Sequence, residues 1–330
     1  VVVKGMRMSK VPGGDIMVRV PSILLLAVVI PAVARSGKAA DPRPGEDPLS
    51  ARTFYLSIPL GVPAVDDPAT GVYLPEKYTA GDTIDLVLFL RGYDVKRPKS
   101  ATAVREYWGS SKHPVLKSFL FREEIDRSGK NVVLVVPPLG PFSEAGKLVQ
   151  AGGVQAFLDG VVAGLAKHGP FVGRKHPPKV RHLILAAHSG GGVPLRRLAQ
   201  ELGRDDRFRD KLTACWGFDS IYGVRDKDAE FWADWAKDHP KTQIRMYYLF
   251  TQRAVGKDPK RPVGADNPVD HREPSGTSGP ALDLERLAKA RSLANVAVVR
   301  DTKATTLDHN EVPRTHLSDL LKLTTCLDTR

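Results

Sequence analysis

The stretch "LILAAHSGGGVPLRRLAQ", Leu183 to Gln200, decides how this chain is read. Its first half continues the apolar run "VRHLILAAHS", which fits a strand covered on both faces. Its second half is amphipathic and fits a helix from about Val193 to Leu202. Between them stand His188, Ser189 and three glycines. A turn this sharp holds the serine in a strained backbone conformation that only small neighbours two positions away accommodate. The gain is positional: the hydroxyl stands clear of the sheet edge. The N–H of Gly190, opening the helix, faces any negative charge that forms beside it. A glycine-rich turn without chemistry is one alternative. A phosphate cradle is another, but the Lys-Ser/Thr ending of a P-loop is missing and Pro194 follows instead.

Working outward, buried strands and helical segments alternate. "TIDLVLFLRGYD" and "NVVLVVPPLG" precede the serine strand, while "LTACWGFDS", "TQIRMYYLFTQ" and "NVAVVRD" follow it. Helical spacing marks "GGVQAFLDGVVAGLAKHG", where Val154, Phe157, Leu158, Val161, Val162 and Leu165 share one face. "KDAEFWADWAKDH", "ALDLERLAKARSL" and "PRTHLSDLLKLTT" read as further helices. Upstream, "ARTFYLSIPL" and "GVYLPEKY" alternate like two antiparallel edge strands. Such alternation predicts a mostly parallel central sheet with helices on both faces. Arg253 to Pro280, rich in Pro, Gly, Asp and Lys, breaks the rhythm and predicts a long mobile loop.

The Ala187-His188-Ser189-Gly190-Gly191 corner resembles the nucleophile elbow of the α/β-hydrolase superfamily, whose usual form is G-x-S-x-G. Ala187 in the first small position is a mild departure. "LFLRGYD" and "FSEAGKLVQAGG" are also similar to segments of bacterial proteins with this fold, so the likeness covers most of the chain after its leader. It implies an α/β-hydrolase fold and a serine hydrolase that needs no cofactor and no metal. The chain has no CxxC or HExxH spacing.

A serine hydroxyl needs a base, and the superfamily's chain order is serine, acid, histidine. Of the nine histidines, His239, His271, His309 and His316 follow the serine. His309 in "TTLDHNEVPRTHL" falls between the last strand and the final helix, where the superfamily places its base. His316 is the reserve, and its place within a helix also fits a surface residue. The acid is often found after the second-to-last strand, but Thr251, Gln252 and Arg253 stand there. One strand earlier, Asp219 ends "ACWGFDS" on the edge where the serine emerges, and that position is used by some members. A turn cap is the alternative role for Asp219, and Asp301 and Asp308 are rival acids. The second oxyanion donor is expected in "FLRGYD", where Arg91 replaces a common histidine. Gly92 permits close approach there, and the N–H of Tyr93 joins that of Gly190 as a donor. Gly92, His188 and Trp108 are expected to line the substrate cleft. Tyr107 and Trp108 fit a core position equally well.

The 330 residues carry a formal charge of +12 spread along the chain. Scattered basic charge favours solubility and attraction to anionic surfaces. Zinc-finger spacing, an RNP-like motif and a basic helix are all missing, so no nucleic-acid partner is expected. Near the start, Arg19, an apolar run from Ile23 to Ala34 and the ending Ala32-Val33-Ala34 have the layout of a secretory signal peptide. The run falls short of the roughly 20 residues that span a bilayer. Residues 1–34 are therefore expected to be a signal, with translation starting at Met6, Met8 or Met17. An uncleaved anchor is the alternative. Residues 35–50 are expected to be a flexible leader and 51–330 one hydrolase domain. Export permits disulfides, and Cys215 and Cys326 allow a single bridge.

The function so expected is an exported serine hydrolase acting on a small-molecule or cell-envelope ester, less readily on an amide, with no stable membrane span after cleavage. An acyltransferase of the same fold and a silent envelope-binding module are the rivals.

Overall fold

The computed structural model describes residues 49–62, 67–93, 104–107, 120–223, 227–254, 272–302 and 309–330. At one edge of the main sheet, β1 (Thr53–Leu56) pairs antiparallel with β2 (Thr70–Tyr73), as the alternating sequence predicts. β2 runs antiparallel to β4 (Val132–Val136), and β4 lies parallel to β3 (Thr83–Leu90). β5 (Lys179–His188), β6 (Leu212–Phe218), β7 (Gln243–Tyr248) and β10 (Val296–Arg300) continue the parallel part. The resulting order is β1-β2-β4-β3-β5-β6-β7-β10, and the architecture is the α/β-hydrolase fold.

Two-residue alternation decides which helix covers which face. On β3 and β5, Leu86, Leu88, Leu90, Leu183, Leu185 and Ala187 point to one side. They pack there against α3 (Gly153–Leu165), α4 (Gly192–Arg204), α5 (Asp228–Asp238) and α6 (Ser278–Ala290), through residues such as Phe157, Leu198, Trp232 and Leu284. Val87, Phe89, Ile184 and Ala186 point to the other side, against Phe121 and Ile125 of α2 (Phe121–Ser128) and Leu317 and Leu320 of α7 (Val312–Leu323). Both faces are covered, so residues 86–90 of β3 and 183–187 of β5 read as apolar runs. The short α1 (Val104–Tyr107) precedes α2.

The chain leaves β3 for β4 on one side and returns to β5 on the other. The C-terminal ends of β3 and β5 therefore flank a point where connections diverge, and open α/β sheets bind ligands in such crevices. Leu90 and Ala187 are register partners there, so Arg91-Gly92-Tyr93 and His188-Ser189 leave the sheet side by side.

Three expectations are corrected. The segment from Arg253 to Pro280 is not loop throughout: β8 (Thr251–Ala254) pairs antiparallel with β9 (Arg272–Ser275), and α6 begins at Ser278. The alternate pairing of a short hairpin is hard to see behind Pro274 and the polar residues around it. Cys215 and Cys326 are both free thiols, the first buried in β6 and the second exposed, so the bridge does not form. His316 is no surface residue. It is buried, stacks on Tyr247 at 4.0 Å between ring centres, and sets Nε2 3.2 Å from Asp301. Residues 1–48, Trp108, the middle of the 253–280 segment, His271 and Asp308 lie outside the described residues. Among the described residues no helix is long and apolar enough to cross a membrane.

Candidate active site

Ser189 has φ = +52°, a left-handed conformation that non-glycine residues rarely adopt. The strain is held by what surrounds the corner. Added side-chain carbon at Gly190 would enter the Tyr93 ring, at Gly191 would stand 2.5 Å from the Leu90 carbonyl oxygen, and at Gly192 would meet the Ser220 backbone. Backbone neighbours thus exclude a side chain at Gly191 and Gly192, and the Tyr93 ring occupies its place at Gly190. Gly92 is equally confined: a Cβ there would lie 2.5 Å from Ser189 Cβ and 3.1 Å from its Oγ. The backbone carrying Gly92 and Tyr93 thus runs directly against the serine.

Arg91 explains its own departure from the common histidine. Its guanidinium is buried and donates to the carbonyl oxygens of Leu139 at 2.5 Å, and of Gly140 and Gly92 at 3.2 Å. Ser143 Oγ donates back to the Arg91 carbonyl at 3.1 Å. These bonds fasten the turn after β4 to the loop after β3, fixing Gly92 and Tyr93 beside Ser189. Charged donors make the stronger class of hydrogen bond, and several on one side chain give directional control.

Asp219, also in a left-handed conformation at φ = +49°, ends β6 one step beyond Phe218. Its Oδ2 accepts from His309 Nδ1 at 2.5 Å. Its Oδ1 accepts from the Thr277 hydroxyl and from the Leu249 N–H, the latter at 3.1 Å. Burial alone would raise this carboxyl, but the bonds from His309 and Thr277, the nearby imidazole and the backbone donor outweigh it. The carboxyl therefore sits below its ordinary range and stays ionised. An ionised acceptor selects the Nδ1–H tautomer of His309 and leaves Nε2 with its lone pair. His309 opens the helical turn His309–Glu311 ahead of α7.

The lone pair of His309 and the hydroxyl of Ser189 face the same group. The Tyr222 hydroxyl lies 3.4 Å from Ser189 Oγ and 3.5 Å from His309 Nε2. Tyr222 follows Asp219 by three residues, and burial pushes its phenol up to about 12, so it is a neutral hydrogen-bonding group. With the lone pair on His309, Tyr222 donates to Nε2 and accepts from Ser189.

The structure brings Ser189, Asp219, His309, Gly190, Gly92 and Tyr93 to one rim. His188 is a correction: it is buried rather than lining the cleft, and its Nε2 donates to the His309 carbonyl at 3.0 Å. Burial lowers His188 to about 3 and keeps it neutral. Alternation along β5 explains the placement, because the residue before the corner still belongs to the strand. His316 and Asp301, the reserve base and a rival acid, pair with each other at the α7 face of β7 instead. Sequence reasoning missed Tyr222, Thr277 and Phe142. Tyr222 carried one usable signal, an aromatic directly after the Asp219 corner. Thr277 was hidden in the segment read as loop. Among the described residues no cluster of His, Cys, Asp and Glu could hold a metal ion.

No family model matches this chain, and no curated protein matches it. Solved structures do resemble it in shape. One is a thermostable esterase, 10% identical, with 83% of this chain aligned and a TM-score of 0.44. This chain spans 60% of that esterase's length. Another is a ferulic acid esterase, 12% identical, with 83% of this chain and 96% of that one aligned and a TM-score of 0.45.

Proposed function

We propose that this protein is a serine esterase whose nucleophile is Ser189. The observation that carries the reading is the bond from His309 Nδ1 to the ionised Asp219, with Nε2 and the strained Ser189 hydroxyl meeting the same phenol. An imidazole so held is oriented to take the serine proton, and the buried carboxylate stabilises the imidazolium that results.

In the reaction, Ser189 Oγ attacks the ester carbonyl while His309 Nε2 takes its proton. The oxyanion is met by the N–H groups of Gly190 and Tyr93, which leave the two neighbouring strands on either side of the serine. His309 then gives the proton to the departing alcohol oxygen, leaving an acyl group on Ser189. A water molecule, deprotonated by the same nitrogen, releases the acid and restores the serine.

The rim supports an apolar substrate. Tyr93, Phe142, Val193 and Tyr222 are four of six large apolar side chains that stand exposed among the described residues. Tyr93 and Phe142 meet edge to face at 6.0 Å. Esters need less leaving-group activation than amides, and an ester is therefore the substrate class proposed. The Ile23–Ala34 run with its Ala-Val-Ala ending supports export, and so a small-molecule or envelope ester as substrate.

Hydrolysis of short p-nitrophenyl esters tests the reading. Wild-type protein should turn them over, and Ser189→Ala and His309→Ala should each lose at least about 10³-fold in kcat while melting at the wild-type temperature. Full activity in Ser189→Ala would end it.

A further inference from the structure

The Tyr222 hydroxyl stands beside His309 Nε2, where an oxygen that exchanges a proton with that nitrogen must come. It touches both the nucleophile and the base, at 3.4 and 3.5 Å. Both contacts are longer than an ordinary O–H···O or O–H···N bond of about 2.7–3.0 Å, so they hold the phenol weakly. The side chain is 42% exposed, and Gly223 follows it. A ring held so weakly at the mouth of the site can be pushed aside.

We infer that Tyr222 is a displaceable stopper of the alcohol subsite, which directs the acyl group to water rather than to a second alcohol. This rests on the serine-esterase reading above. During acylation the alcohol oxygen of the ester must sit within reach of His309 Nε2, where the phenol oxygen stands at rest. The substrate displaces the ring, the Ser189 Oγ–carbonyl bond forms, and the carbonyl–alkoxy bond breaks as His309 protonates the leaving oxygen. Once that alcohol departs, Tyr222 swings back. A water molecule is small enough to reach Nε2 beside the ring, lose its proton there and form the new bond to the acyl carbon. The bond to Oγ then breaks and Oγ recovers a proton from His309. A second alcohol would have to displace the ring again, with no acyl–alkoxy ester to bind it in place. Tyr222 is thus a specificity-determining residue that separates hydrolysis from acyl transfer.

The test measures how the acyl-enzyme divides. Wild-type, Tyr222→Phe and Tyr222→Ala proteins are given p-nitrophenyl butyrate in buffer containing 1-butanol. Butyl butyrate and butyrate are then quantified by gas chromatography, while p-nitrophenol release reports acylation. The inference expects a butyl butyrate to butyrate ratio at least fivefold higher in Tyr222→Ala than in wild type. Tyr222→Phe, which keeps the ring but loses both tethers, should fall between them. The ratio compares two fates of one intermediate, so a variant that folds less well changes the total product and not the division. Equal ratios in all three proteins, or a lower ratio in Tyr222→Ala, would overturn it. Absence of any acyl-enzyme on Ser189 would instead overturn the esterase reading, and the two failures are told apart by p-nitrophenol release in wild type.

Discussion

Gly92→Ala places one methyl group where the account says there is no room. The added carbon would lie 2.5 Å from Ser189 Cβ, 3.1 Å from Oγ and 3.2 Å from the His188 carbonyl oxygen. Carbon atoms rest about 3.5–4.0 Å apart, so the serine or the loop carrying Tyr93 must retreat by about 1 Å. The serine is pinned in its left-handed turn and the loop by Arg91, so neither yields freely. A misplacement of this size costs about 10²-fold in rate. Overpacking of a tight site costs about 1–3 kcal/mol of stability. The assay is the rate of inactivation by a fluorophosphonate alongside thermal melting. Gly81→Ala is the control, since its methyl would meet nothing closer than the Thr83 carbonyl at 3.4 Å. Wild-type inactivation by Gly92→Ala would refute the claim that the loop after β3 abuts the nucleophile.

Asp219→Asn should leave the fold intact and lower kcat by about 10⁴-fold, because an amide no longer fixes the Nδ1–H tautomer of His309. Steady-state kinetics with a p-nitrophenyl ester checks it. His188 gives the pH dependence of stability. Its value falls from 6.5 to about 3 on folding, so the unfolded chain binds the extra proton between those limits and stability is lost as pH drops below 6.5. The slope is about 1.4 kcal/mol per pH unit at most, and His188→Gln should flatten it in urea melts between pH 6 and 4. Asp219, held below its ordinary 3.8, adds its own loss only at lower pH, as the medium approaches its folded value.

Much of the fold was legible because strands buried on both faces leave long apolar runs, as β4, β6 and the later parts of β3 and β5 do. The strained serine corner was legible for a local reason: a serine followed by three glycines has few structural uses. That Asp219 and His309 meet was expected from the chain order of the superfamily the sequence resembles and from which strand ends share an edge, and the two are hydrogen-bonded. What stayed hidden depends on contacts distant in sequence. Arg91 looked like a defect in a motif until its carbonyl partners at Leu139 and Gly140 were placed 48 and 49 residues away. Thr277 reaches Asp219 across 58 residues from a stretch whose composition reads as loop. α2 escaped because its eight residues, "FREEIDRS", are mostly charged, and only Phe121 and Ile125 give an apolar face. His188 was misread as a cleft residue because the sequence does not show on which side of the corner the strand's alternation stops.

The central claim is that Ser189 is the activated nucleophile of this protein. Its most direct test is peptide mass spectrometry after brief exposure to a fluorophosphonate. The account predicts a single adduct on the peptide carrying Ser189, no adduct in Ser189→Ala, and labelling slowed by at least about 10²-fold in His309→Ala. An adduct on any other residue, or undiminished labelling of Ser189→Ala, would contradict it.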